Sequence, residues 1–138
     1  MKILVVDDDQ MNRSLMQILL TREGYMVTAA SDGLEAYNFI KRQKFDIVFM
    51  DLHMPVMDGI EASRCIRAWE NGKHHTFIVA LTASYLPDKG QMLFEAGIDN
   101  YISKPFELEH IHRMLKNSEG VQAIHPVQDS QPGEAFDG

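Results

Sequence analysis

Apolar residues recur along this chain in two rhythms. Short runs at 2–6 (KILVV), 26–30 (MVTAA), 46–50 (DIVFM), 77–81 (FIVAL) and 100–103 (NYIS) read as strands bounded by polar stretches. "DIVFM" and "FIVAL" are apolar almost throughout, as strands covered on both faces must be, whereas "MVTAA" looks like an edge. Between the runs the spacing turns helical. Residues 10–23 carry Met11, Leu15, Ile18 and Leu19 at helical intervals and stop at Gly24, a residue suited to the position just past a helix. Helices at 33–43 and 58–69 announce their starts, with Asp32 and Glu35 in one and Asp58 and Glu61 in the other at capping-box spacing. A fourth helix near 87–96 is a poor former, because Gly90 inside it costs about 1 kcal/mol relative to Ala, and it is expected to be the most mobile element. The last, 106–116, aligns Leu108, Ile111 and Leu115. Five alternations of strand and helix predict an α/β fold on a parallel sheet.

Composition narrows the class. The 138 residues are 45% hydrophobic and 24% charged, one globular domain's worth. The periodic part ends near residue 117, and 118–138, rich in Gly, Pro, Gln and Asp, reads as a flexible tail or linker. No apolar run approaches the roughly 20 residues of a membrane span, and the start lacks the layout of a signal peptide, so a cytoplasmic protein without membrane contact is expected. The lone Cys65 reads as small core filler. Of the net charge of −7, the tail holds −4 without a Lys or Arg, and the remaining −3 equals Asp7, Asp8 and Asp51. An acidic chain without a basic stripe argues against nucleic-acid binding.

Those acids matter because of where they fall. Crossovers between parallel strands are right-handed in about 98% of cases, so all five strands share one C-terminal rim, where open sheets of this type hold their ligands. The rim receives Asp7, Asp8 and Asp9, then Asp51, then Thr82, then Lys104 followed by Pro105. Crowded carboxylates repel, and a hard divalent cation with oxygen ligands relieves them; Mg²⁺ suits a small site that keeps waters and shares a phosphate. A metal, a lysine and a hydroxyl are also what phosphoryl transfer requires. Asp51 fits a carboxylate nucleophile, Lys104 a partner for one phosphoryl oxygen and Thr82 a donor to another. No obvious general base stands beside Asp51 to make hydrolysis fast.

These stretches resemble the receiver domains of two-component response regulators, from about Lys2 to Lys116: "VVDDD", "MDLHMPVMDGIEA", "ALTA" and "DNYISKPF" in order. The resemblance implies a flavodoxin-like (βα)5 sheet of strand order 2-1-3-4-5 in which a phosphohistidine donor phosphorylates Asp51. It implies Mg²⁺, with Mn²⁺ able to substitute, held by the side chains of Asp8 and Asp51, the backbone carbonyl of His53, and Asp7 through water. It makes Thr82 and Tyr101 a switch pair that alters the surface of helix 4, strand 5 and helix 5, and makes the Lys104–Pro105 peptide cis. Positions His53 and Ser84 would tune self-dephosphorylation. "NRSLMQILLTREGY" and "VALTASYLPDKGQMLFEAGIDNYISKPF" look most like receivers of hybrid histidine kinases. The implied partner is a sensor histidine kinase or a histidine-phosphotransfer domain docking on the first helix, with Met11, Leu15 and Met16 as its apolar patch. A weak dimer is also allowed for. On this reading the chain is a phosphoacceptor, not a turnover enzyme.

Plainer readings compete at some positions. Asp9 fits a helix start better than a ligand, and an edge-strand Tyr101 could pack at the surface without switching. His74, His75, His110, His112 and His125 read as solvated surface, and Met54 and Met57 as support for the loop after Asp51. The alternative function is a haloacid-dehalogenase-type phosphatase, with Asp7 as nucleophile and Asp9 completing a D-x-D; the late strand ends, carrying Thr82 and Lys104, argue against it.

Overall fold

The computed structural model describes residues 1–83, 90–104 and 107–120, the last with side chains to Lys116. Strands β1 (Lys2–Val6), β2 (Met26–Ala30), β3 (Ile47–Asp51), β4 (Phe77–Thr82) and β5 (Asn100–Ser103) alternate with helices α1 (Gln10–Arg22), α2 (Gly33–Arg42), α3 (Gly59–Glu70), α4 (Gly90–Glu95) and α5 (Leu108–Gly120). All strand pairings are parallel, as the sequence pattern predicts, and the order is β2-β1-β3-β4-β5, as the family resemblance implies. β3 and β4 are buried along their whole length. β2, at the edge, buries only Ala30 fully.

Strand alternation divides the core between two faces. Ile3, Val5, Ile47, Phe49, Val79 and Leu81 pack with Met16 and Leu20 of α1 and Ile111, Met114 and Leu115 of α5. Leu4, Val6, Val48, Met50, Ile78 and Ala80 pack with α2, α3 and Leu93 of α4.

The capping signals resolve in detail. Asp58 and Glu61 close a full capping box on α3. Asp32 caps α2 through the Glu35 amide, but Glu35 reaches back to the Ser31 amide and hydroxyl instead of to the Asp32 amide. α1 ends in a Schellman motif around Gly24 (φ +98°), with Tyr25 N–H donating to Leu20 and Gly24 N–H to Thr21. The third strand starts at Ile47, one residue later than expected, because Asp46 is exposed and its carboxylate accepts the Lys2 amide at 2.7 Å. The expected start of the fourth helix at Pro87 lies outside the described residues, and Gly90 opens the described part of α4. The last helix continues to Gly120, past Asn117; of the tail, residues 121–138 lie outside the described residues. Cys65 is half-buried on α3, short of the core expected for it, because its neighbours Ala62 and Ile66 take the inward positions.

Opposite the acidic rim, the strand starts are tied by a polar cluster. Glu70, 2% exposed, accepts from Arg67 Nη1 at 2.7 Å, Thr76 N at 2.8 Å and Thr76 Oγ1 at 2.7 Å. Arg67 also donates to Asp99 Oδ2 and to the Gly97 carbonyl, and Asp99 accepts the Ile78 amide and pairs with His75. His75 is exposed, as expected of it, and also pairs with Asp99. Removing the Glu70 carboxylate strands the two buried Thr76 donors and takes one partner from half-buried Arg67. Glu70→Ala should lower unfolding stability by about 3 kcal/mol, read as a reduced urea midpoint with unchanged slope.

Candidate functional site

The chain leaves β1 at Val6 and turns at once, so Asp7, Asp8 and Asp9 lie in a tight corner before α1. Asp7 is buried; its Oδ1 accepts the Asp9 amide at 2.9 Å, and its carbonyl takes Arg13 Nη1 at 2.8 Å. Asp8 is exposed. Asp9 is the N-cap of α1, accepting from Met11 N and Asn12 N, the plainer of its two readings.

Asp51 closes β3, in register with Leu81 and continuing the row of Ile47 and Phe49. Its Oδ1 accepts the His53 amide at 3.2 Å, and its Oδ2 lies 3.3 Å from Lys104 Nζ. Lys104 Nζ is also 3.9 Å from Asp7 Oδ2. Lys104 comes to this point because its amide donates to the Thr82 carbonyl at 2.7 Å, which fastens the end of β5 to the end of β4. Asp7, Asp8 and Asp51 each offer a carboxylate oxygen within 4.8 Å of the others. An all-oxygen donor set with one exposed member fits a hard cation that keeps waters.

Thr82 is 1% exposed at the end of β4. Tyr101 is 3% exposed in the core of the α2–α3–α4 face, opposite Ala80, so surface packing does not describe it. Pro105 and Ser84 lie outside the described residues. His53 is exposed and Met54 and Met57 pack partly against the core, in line with loop support. The α1 stripe needs correction. Met11, Leu15 and Ile18 face solvent at 77%, 54% and 54% exposure, while Met16 is buried and contributes nothing to a patch. The helix turns Met16 and Leu20 inward because β1 presents Ile3 and Val5 there. Beside the stripe, a groove of about 590 Å³ between α1 and α5 has Asp7 and Lys104 at one end and Leu15, Leu19 and Leu108 along its walls.

Sequence reasoning missed Arg13, for which no local pattern speaks, and the role of two glycines. Gly33 and Gly59 each open a helix, where most residues would serve better, and that cost is the signal. A Cβ on Gly59 would lie 2.4 Å from the Asp51 carbonyl. In the same loop Val56 holds φ +68° in a γ-turn closed by Met57 N–H to the Pro55 carbonyl, a strained conformation for a β-branched residue.

Burial raises the Asp7 carboxyl above its ordinary value; Asp51 and Asp8 push the same way, against the Asp9 amide and Lys104. A carboxyl raised in the folded state stabilises it fully below the unfolded pKa and loses that contribution as pH rises through the folded pKa. Ionised Asp7 therefore opposes folding at neutral pH. Asp7→Asn should raise the stability of the metal-free chain at pH 7 by about 1 kcal/mol, and the advantage should vanish in thermal melts below the carboxylate range.

The chain was also compared with known proteins. The model of the response regulator receiver domain matches residues 3–116. Sensor protein GacS of Pseudomonas syringae is 35% identical over 132 residues, 94% of this chain but 15% of that protein. The chain thus spans a small part of the curated relatives it matches. The receiver domain of sensor histidine kinase PA1611 of Pseudomonas aeruginosa, solved with magnesium in its active site cleft, is 38% identical at TM-score 0.75, covering 83% of this chain and 93% of that one. The receiver domain of Saccharomyces cerevisiae Ssk1, solved with the histidine phosphotransfer protein Ypd1, is 30% identical at TM-score 0.77, with 84% and 86% covered. With its five-stranded sheet and the acids on its rim, the chain belongs to the response regulator receiver domain family.

Proposed function

We propose that this domain accepts a phosphoryl group on Asp51 from a phosphohistidine, on a sensor histidine kinase or a histidine-phosphotransfer domain. One observation carries the reading: the ammonium of Lys104 stands between Asp51 and Asp7, with Asp8 in the same cluster. In the transfer, the Asp51 carboxylate attacks phosphorus, a P–O bond forms as the P–N bond breaks, and the electron pair leaves with the donor imidazole. Lys104 neutralises one phosphoryl oxygen, and the Thr82 hydroxyl donates to another. Asp8, Asp51 and the His53 carbonyl would hold Mg²⁺ or Mn²⁺, with Asp7 acting through water; the ion supplies positive charge against the carboxylates and the phosphoryl oxygens.

The solvent-facing Met11, Leu15 and Ile18 support docking of the donor on α1 beside the rim. The phosphatase alternative is weakened by Asp9, whose carboxylate is committed to the α1 cap. Phosphate acts by population shift, favouring one of two arrangements of α4, β5 and α5. The Thr82–Lys104 backbone bond and buried Tyr101 connect the site to that surface, and a weak dimer belongs to the same proposal.

Intact mass after acetyl phosphate and Mg²⁺ should show one phosphoryl adduct, absent in Asp51→Asn and formed about a hundredfold more slowly in Lys104→Ala. With a phosphorylated phosphotransfer domain as donor, Met11→Glu should slow transfer yet leave labelling by acetyl phosphate unchanged. Phosphate release without an adduct, retained in Asp51→Asn, would sink the reading. Magnetic resonance shifts on adding beryllofluoride should extend from Thr82 into α4 and β5; shifts confined to the rim would exclude a long-range switch in this chain.

A further inference from the structure

The loop from Leu52 to Asp58 carries the His53 carbonyl, and a residue outside the loop determines where it rests. Gly33, the first residue of α2, donates its N–H to the Met57 carbonyl at 3.0 Å. At that position the helix offers the amide no partner of its own, so the bond both satisfies the donor and reaches across to the loop. A Cβ on Gly33 would stand 2.4 Å from the Met57 carbonyl oxygen and 3.0 Å from both the Asp58 carbonyl oxygen and Ala62 Cβ. Only glycine allows this approach.

The loop's other ties are at its ends and in its side chains: Leu52 N–H donates to the Leu81 carbonyl, Gly59 N–H to the Leu52 carbonyl and His53 N–H to Asp51 Oδ1, and Met54 and Met57 pack partly on the core. Among the described residues, the Gly33 hydrogen bond is the only backbone-to-backbone bond that residues 53–57 make to another element. The tip is exposed and strained at Val56, and such strain persists only where the surroundings enforce it. α2, by contrast, is anchored in the core through Ala36 and Ile40, at 0% and 4% exposure. If Gly33 gains a side chain, the loop is what yields.

We propose that Gly33 is a positioning residue for the Mg²⁺ site: its hook on Met57 sets the backbone of residues 53–57, and with it the placement of the His53 carbonyl. The inference rests on the proposed metal site and adds to it a residue that touches neither metal nor phosphate. Coupling between the hook and the ion must be reciprocal. Mg²⁺ alone should therefore slow hydrogen exchange at the Gly33 amide of the unmodified chain by the factor that losing the hook costs in affinity.

Outer supports of this kind are worth about tenfold in metal affinity, so Gly33→Ala should raise the Mg²⁺ dissociation constant by about that factor. In the metal-free variant, exchange at the 53–57 amides should speed up. Ile40→Val, which loosens the core behind α2 but keeps the hook, should lower the melting temperature and leave Mg²⁺ affinity within about twofold. Equal loss of affinity in both variants would reduce Gly33 to a structural role and overturn the proposal. So would a Gly33 amide indifferent to Mg²⁺ while the His53 amide slows, a measurement that needs no variant to fold. An unmodified chain that binds no Mg²⁺ would sink the metal site itself, and the hook's purpose with it.

Discussion

Three carboxylates held within a few ångströms of one another repel, and the strand ends leave them no room to separate. Asp7 and Asp51 are fixed by β1 and β3, which are hydrogen-bonded neighbours, so the charges are brought together by the sheet that gives the domain its stability. One ammonium cannot offset three negative charges, and Lys104 reaches two of them at 3.3 and 3.9 Å. Much of the remaining site follows from this imbalance. Asp8 stays exposed, where water screens it; the Asp9 and His53 amides donate to the buried pair; and Arg13 braces the turn by its backbone.

The loop after Asp51 works under a related constraint. It must bring backbone close to a carboxylate while leaving the rim open, and it does so with glycines at its borders and strain at its tip. Chain that approaches other chain this closely cannot carry side chains, which is why α2 and α3 begin with glycine.

Fold class and the rim residues were legible because each depends on local pattern: continuous apolar runs for buried strands, acids directly after them, Gly24 after α1; the strand order came only with the family resemblance, since no run of residues says which strand lies beside which. Legibility failed where a neighbour decides. The apolar stripe of α1 has helical period, but period does not say which side meets the sheet; β1 chose Met16 and Leu20, and Met11, Leu15 and Ile18 were left outside. Glu35 bonding Ser31, and His75 bonding Asp99, depend likewise on chain that arrives from elsewhere. Gly33 was visible as a letter and opaque as a contact, since its partner lies 24 positions on.

The cluster of Arg67, Glu70, Thr76 and Asp99 gives the molecule a vertical gradient. At the strand starts, buried charges are matched by donors and neutralise one another. At the strand ends, like charges are forced together. Local opening therefore costs least at the rim and most at the base. On the proposed function, the rim is the part left to accommodate a newly attached group while the base keeps the strands in register.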